Sequence, residues 1–139
     1  MATKYSSIIT AIDTIINGIT AVKEHYTYEP QQFTKYPAVT ITPIGHHEEY
    51  LTLRDTRREY TFSIRVYGQI DNTRTDTQVT IRDLVDTIID TLGLQTNITL
   101  NGACDYSELS DATFKFVERG SSLFVGEITM KVQKSYARV

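Results

Sequence analysis

The sequence has one cysteine, no tryptophan and no apolar run long enough to cross a bilayer. A single cysteine, Cys104, excludes an internal disulfide. The formal net charge of −3 gives none of the basic character that dominates binding to a phosphate backbone, so we do not expect direct nucleic-acid binding. The apolar residues near the N-terminus are spaced helically and never form the continuous core of a signal peptide, which favours a cytoplasmic protein of its host cell.

Motifs for catalysis and metal binding are also scarce. The sequence contains no glycine-rich phosphate loop and no nucleophile elbow. The most compact group of potential metal ligands is His46-His47-Glu48-Glu49, but adjacent residues on a strand point to opposite faces and could not easily hold one ion. Cys104 has no histidine close in sequence. We therefore predict no catalytic residue, no cofactor and no metal, and interpret His46 to Glu49 as a solvated loop and Cys104 as an inert cysteine in a loop.

The longest strand pattern runs from Tyr36 to Gly68 and predicts a central β-meander. Its clearest part is Arg58 to Val66, where apolar residues take every second position, as in a strand with one buried face. Residues 39–41 predict a short strand, because the prolines at 37 and 43 cannot donate ladder hydrogen bonds. Residues 50–53 predict another strand. The connecting turns are then expected at 44–47 and 54–57.

Two segments, residues 3–18 and 79–92, have the periodicity of amphipathic helices. Gly18 and Gly93 are expected to end them, and Thr75 and Gln78 have the spacing of a capping box ahead of the second. Each helix has one apolar stripe and each strand one apolar face. We therefore predict a single α+β domain over residues 1–139, in which a mainly antiparallel or mixed sheet has both helices packed on one face. The other face is left for solvent or a partner.

The remaining segments carry weaker patterns. Residues 19–28 are expected to be extended at a sheet edge, and 29–36 to form a loop pinned by Phe33. Residues 97–100 predict a short strand before an Asn101-Gly102 turn, and 105–110 predict a loop. Alternation at 112–116 and 124–132 predicts a closing hairpin with a long last strand. Residues 133–139 are expected to form an extended C-terminal arm or a frayed end.

The order of these elements resembles that of the tail terminator, or tail completion, proteins of long non-contractile-tailed bacteriophages. The resemblance covers most of the chain, as hydrophobic spacing, and is clearest in Tyr36 to Ile41 (YPAVTI), in the R-x-Y-x-F-x-I-x-V-Y segment from Arg58 to Tyr67, and in the Asp83 to Asp86 helix. It implies a structural virion protein, assembled in the host cytoplasm, that forms a hexameric ring at the head-proximal end of the tail tube. Such a ring ends tube polymerisation and joins the tail to head-completion or connector proteins. DNA passes through its lumen without specific binding, and neither catalysis, a cofactor nor a membrane is involved.

A closed ring needs two different complementary patches on each copy, and mixed charge offers directional pairing. We therefore expect a subunit or tube interface at the charged residues of the central meander: Glu48, Glu49, Arg54, Asp55, Arg57 and Arg58. The alternative for these residues is an ordinary solvated hairpin. For the whole chain, the alternatives are another neck or tube ring protein, such as a head-side adaptor or a tail tube subunit, and a small ligand-binding or enzymatic α+β domain.

Overall fold

The computed structural model describes residues 4–70, 76–118 and 122–137. Within these ranges two helices and five strands follow one another, and a short 3-10 helix (Gln95–Asn97) follows the second helix. The elements are α1 (Lys4–Asn17), β1 (Glu24–Tyr26), β2 (Ala38–Tyr50), β3 (Asp55–Gln69), α2 (Asp76–Leu92), β4 (Tyr106–Glu118) and β5 (Ser122–Ala137).

The strands form one sheet in the order β1-β2-β3-β5-β4. The short β1 runs parallel to β2, and the other neighbours are antiparallel, so the sheet is mixed. The long central strands β3 and β5 are paired from Asp55 and Ala137 at one end to Gln69 and Leu123 at the other. This architecture confirms the predicted α+β fold.

The main core lies between the sheet and the two helices. Alternate residues of β3 from Tyr60 to Val66 are fully buried, as their sequence spacing predicts. They belong to the same cluster as the apolar stripes of α1 and α2, which supply Ile12 and Ile88 among others. Both helices therefore pack on one face of the sheet, because residues two apart on a strand share a face.

Two glycines let α2 lie close to the sheet. A Cβ atom added at Gly68 would be 2.6 Å from Cγ1 of Ile81, and one added at Gly126 would be 2.5 Å from Cγ2 of Val85. These separations are far below normal van der Waals contact between carbon atoms. The seating of α2 therefore requires glycine at both positions.

The opposite face of the sheet is covered at one end by the segment that joins β1 to β2. Phe33 and Tyr36 pack against Tyr67 and its buried neighbours on β5, and the rings of Phe33 and Tyr67 are 4.6 Å apart. Glu29 accepts hydrogen bonds from the Tyr67 hydroxyl at 3.0 and 3.2 Å. The prediction of a loop pinned by Phe33 is therefore confirmed, whereas the prediction that this face is left open is wrong at that end.

The largest difference from the sequence predictions is in β2, which continues through Pro43 to Tyr50. The predicted turn at 44–47 and separate strand at 50–53 are therefore wrong. The register with β3 shifts between Pro43 and Gly45, which marks a bulge, and β1 pairs with β2 only as far as Thr40. Proline is tolerated at a bulge on an open edge, because no ladder hydrogen bond is required there.

The turn between β2 and β3 lies at 51–54, earlier than the predicted 54–57. The amides of Leu51 and Thr52 donate to the carbonyl oxygen of Asp55. The Thr52 hydroxyl accepts from the amides of Arg54 and Asp55 at 3.1 and 2.9 Å. A side chain that bonds the backbone in this way stabilises a tight turn.

Other boundaries also differ. Instead of a strand at 97–100, Asn97 ends the 3-10 helix and residues 98–100 form turns. Positive φ angles at Leu100, Asn101 and Gly102 confirm the predicted turn. The predicted loop at 105–110 is mostly the start of β4, and the predicted C-terminal arm is ordered to Ala137 as part of β5. Within the segment at 19–28, which is predicted to be extended, only the three residues of β1 form a strand. Thr75, and with it the predicted capping box, lies outside the described residues, as do 138–139.

Candidate interaction surface

The six charged residues predicted at an interface all lie on the β2–β3 hairpin, but not on one face. Glu48 is directly opposite Arg58, and Glu49 is opposite Arg57. Since side chains alternate along a strand, the first pair shares the face of buried Tyr60 and the second pair lies on the other face. The structure therefore divides the predicted cluster between two sides of one arm.

Four of the six charges are paired within the chain. Nη2 of Arg58 donates to Oε1 of Glu48, and Nη2 of Arg57 donates to Oε2 of Glu49 at 2.5 Å. The hydrogen bond from Arg58 holds the pKa of Glu48 below its usual value. Both pairs link the two strands of the hairpin. The Arg57–Glu49 pair is largely exposed and contributes little to stability, whereas the Arg58–Glu48 pair is partly buried.

A cluster of tyrosines anchors the base of the hairpin to α1 and β5. The buried Tyr60 hydroxyl lies 3.0 Å from the Tyr136 hydroxyl and accepts a hydrogen bond from Arg58 at 3.0 Å. The Tyr5 hydroxyl lies 2.6 Å from Nδ1 of His46, and burial raises the pKa of Tyr136. These contacts join α1, β2, β3 and β5 and hold the hairpin as a preformed arm, although Nε of Arg58 is buried without a hydrogen-bond partner among the described residues.

The two candidate metal-binding histidines point to opposite sides of β2. His46 lies opposite Tyr60 on the helix face, and His47 lies opposite Glu59 on the other face. Across the three described ranges, no three histidine, cysteine, aspartate or glutamate side chains come together in a way that could hold a metal ion. Cys104 is buried, and burial raises the pKa of its thiol to about 11.

The tip of the hairpin, residues 50–54, is exposed and contains three large apolar side chains. Leu53 is 92% exposed, and Tyr50 and Leu51 are also largely exposed. Arg54 makes no ion pair with any described residue, whereas the Asp55 carboxylate accepts a weak hydrogen bond from Thr52 at 3.4 Å. Sequence reasoning missed this tip because Leu51 and Leu53 alternate like strand residues. The spacing of Thr52 and Asp55 was the available signal for a turn.

A second accessible surface is a groove between the end of α2 and the start of β4, which we call the α2–β4 groove. Its volume is about 640 Å³, and its floor includes Met130 and Leu109. Leu94 and Tyr106 line it and remain substantially exposed. No sequence signal identified the groove, because segments distant in sequence form it.

Further along β4, the edge strand presents exposed aromatic rings. Phe114 stacks on Phe124 with ring centres 5.7 Å apart, and Phe116 packs against the same ring while staying 63% exposed. In the described part of the chain, no strand pairs with the outer side of β4. Long exposed edge strands with apolar side chains favour association with other chains.

A scan of protein-family models and a search of curated proteins found no match to this chain. None of the helices described is long and apolar enough to cross a membrane. We therefore infer function from the sequence resemblance and from the surfaces of the fold.

Proposed function

We propose that this chain is a structural virion protein that forms a ring, expected to be hexameric, at the head-proximal end of a phage tail tube. The ring ends tube polymerisation and joins the tail to the head-completion proteins. The resemblance to tail terminators supports this role. The observation that carries it is the presence of two unlike exposed surfaces on separate parts of the sheet, the apolar hairpin tip and the groove-bearing β4 edge.

Two unlike surfaces are what a ring requires. Contacts between different patches of identical copies run head to tail, and they close when the rotation between copies divides a full turn. A preformed arm also favours assembly, since little conformational freedom is lost when a rigid segment binds. The tyrosine cluster around Tyr60 and the ion pairs of Arg57 and Arg58 supply that rigidity.

Within the predicted interface, the internal pairing makes Arg54 the residue best placed to meet a partner. Arg54 is exposed at the tip, and it has no ion pair among the described residues. Arg58, by contrast, bonds both Glu48 and Tyr60, so reversing its charge would disturb the hairpin itself. Substitution at Arg54 separates an effect on assembly from an effect on folding.

Two alternative functions are compatible with parts of the structure. A head-side adaptor or a tail tube subunit would use the same kinds of head-to-tail contact. A ligand-binding or enzymatic domain is favoured by the α2–β4 groove, whose volume lies within the range of about 300–1,000 Å³ that small-molecule sites occupy.

Mixing the purified chain with polymerising tube protein of the same phage tests the role directly. We expect negative-stain images to show shorter tubes that end in one ring of added density, and the chain alone to stop at single rings. Filaments of the chain alone would indicate a tube subunit. A chain that never binds tubes but is stabilised by a small molecule in a thermal-shift screen would contradict the proposal and favour the ligand-binding alternative.

A further inference from the structure

The α2–β4 groove combines an apolar floor with unpaired negative charge. Asp90 and Glu108 line it, and both are exposed without an ion pair to any residue that the structure describes. The last turn of α2 contains no basic residue. Asp90 therefore lies at the negative end of the helix dipole without a compensating cation, an arrangement that a positive group from outside would stabilise.

The hairpin tip has the complementary composition. Leu53 extends almost completely into solvent, and the cation of Arg54 follows it directly in sequence. An exposed leucine next to an unpaired arginine gives an apolar anchor with a charged neighbour. This pairing of an apolar centre with a polar rim is typical of protein interfaces.

The tip and the groove of one copy are separated in the fold. Strand β5 lies between β3 and β4. The first residue of β4, Tyr106, pairs with Gln133, which pairs with Glu59 of β3, so Tyr106 and Glu59 lie at the same height along the sheet. Strand β3 begins at Asp55, four residues from Glu59. At about 3.3 Å per residue, the tip lies roughly 13 Å further along the sheet than the start of β4. A tip that docks in the groove must therefore belong to another copy of the chain.

We propose that the hairpin tip of one copy docks in the α2–β4 groove of the next copy. Leu53 packs against the apolar floor, and Arg54 pairs with Asp90 and Glu108. Because the contact joins two different surfaces, it runs head to tail and can close into a ring. The inference rests on the proposed function, since ring formation is what brings a second copy to the groove.

Charge exchange tests the pairing. We expect Arg54→Glu to abolish assembly, and the double variant Asp90→Lys/Glu108→Lys to do the same, because each places like charges at the contact. The triple variant that carries all three changes should assemble again, since opposite charges then face each other. Lys23→Glu, an equal change of charge at an exposed residue just before β1, is the matched control and should assemble normally.

Mixing the two defective proteins distinguishes a head-to-tail contact from a symmetric one. The Arg54→Glu variant has a negative tip and a negative groove, and the Asp90→Lys/Glu108→Lys variant has a positive tip and a positive groove, so each variant repels itself and both contacts between unlike variants are complementary. We expect native mass spectrometry of the mixture to show rings that contain the two variants in equal numbers. Heterodimers without rings would indicate a symmetric contact, and normal assembly of either defective variant alone would overturn the docking.

Disulfide trapping locates the contact. A chain with both Leu53→Cys and Leu94→Cys should give, on mild oxidation of assembled protein, a ladder of covalent multimers that ends at the ring size. Neither single variant should form the ladder, and Cys104 is buried and should not contribute. A dimer from Leu53→Cys alone would indicate that two tips meet and would overturn the proposal.

The docking contact and the terminator role can be refuted separately. Rings that form on tail tubes without a 53–94 disulfide, and that tolerate Arg54→Glu, would overturn the docking and leave the terminator role intact. A wild-type chain that remains monomeric both alone and in the presence of tail tubes would overturn the terminator role and the docking together.

Discussion

Gly126 lies in β5 directly beneath α2, where a methyl group would occupy space that Val85 already fills. The added carbon of Gly126→Ala would be 2.5 Å from Cγ2 of Val85 and 3.2 Å from Cε1 of Phe114. Overpacking of this kind costs typically about 1–3 kcal/mol. The reduced freedom of the unfolded chain offsets about 0.4–1 kcal/mol of that cost. We expect Gly126→Ala to lower the free energy of unfolding by about 1–2 kcal/mol in an otherwise wild-type chain.

The same substitution should behave differently when Val85 is shortened. Val85→Ala removes two buried methyl groups and should cost about 2 kcal/mol, from about 0.8 kcal/mol for each group plus a term for the cavity. The methyl group of Gly126→Ala then enters the vacated space. We therefore expect the double variant to be at least as stable as Val85→Ala alone.

Urea unfolding of the four proteins in this cycle measures the coupling between the two sites. Gly45→Ala is the matched control, because nothing lies within 4 Å of the Cβ atom that it adds. Its effect should stay within about 0.5 kcal/mol. If Gly126→Ala destabilises equally with valine and with alanine at position 85, the close seating of α2 on this glycine is wrong.

Three further predictions concern the hairpin base and the free thiol. The pKa of Glu48 is lowered in the folded chain, so its contribution to stability is present above the unfolded-state pKa of 4.5 and is lost as the pH falls through the folded-state pKa. In urea unfolding at a series of pH values, Glu48→Gln should reduce the loss of stability in acid. The same dependence of stability on pH in both proteins would contradict the pairing with Arg58. Tyr60→Phe should lower the free energy of unfolding by about 1–2 kcal/mol, because it removes a buried hydroxyl that bonds Arg58 and Tyr136. A change below about 0.3 kcal/mol in the free energy measured by urea unfolding would show that these bonds are not made. The pKa of Cys104 is raised from 9.0 to about 11, so at neutral pH its thiolate population falls about a hundredfold; a disulfide-exchange reagent should label it at least that much more slowly in the folded protein than in denaturant, and equal rates would refute its burial.

The helices and the central strand could be predicted from the sequence because their apolar periodicity matches their burial. Ile8, Ile12 and Ile16 return to one side of α1 at four-residue steps, and Tyr60 to Val66 alternate along β3. Gly93 ends α2 as predicted, with its amide bonded to the Ile89 carbonyl. In these elements local pattern and tertiary packing agree.

The errors occur where tertiary contacts reverse the local pattern. At the start of β4, Ser107 is buried and donates to the Ile98 carbonyl at 2.8 Å, while the larger Tyr106 is exposed. A bulge between Leu109 and Asp111 then shifts the register. This inverted pattern, polar inside and aromatic outside, lacks the alternation expected of a strand, which is why the prediction of a loop at 105–110 is wrong.

The charged residues of the candidate site could be identified from sequence, but their pairing could not. The register that places Glu48 opposite Arg58 depends on a turn at 51–54, and the prolines and the alternating leucines directed the prediction to other turns. The α2–β4 groove depends on how α2 ends against β4, which no local pattern encodes. The apolar tip and its proposed partner surface therefore emerge only from the fold.

Blocking synthesis of this chain in the phage that encodes it tests the central proposal most directly. An early stop codon, with wild-type protein supplied from a plasmid as the control, allows tail lengths and head attachment to be measured by negative-stain electron microscopy. The terminator role predicts overlong tails without heads, and normal lengths with heads when the protein is restored. Normal virions in the absence of the protein would contradict the proposed function, and tails of normal length without heads would assign the chain to a head-side adaptor.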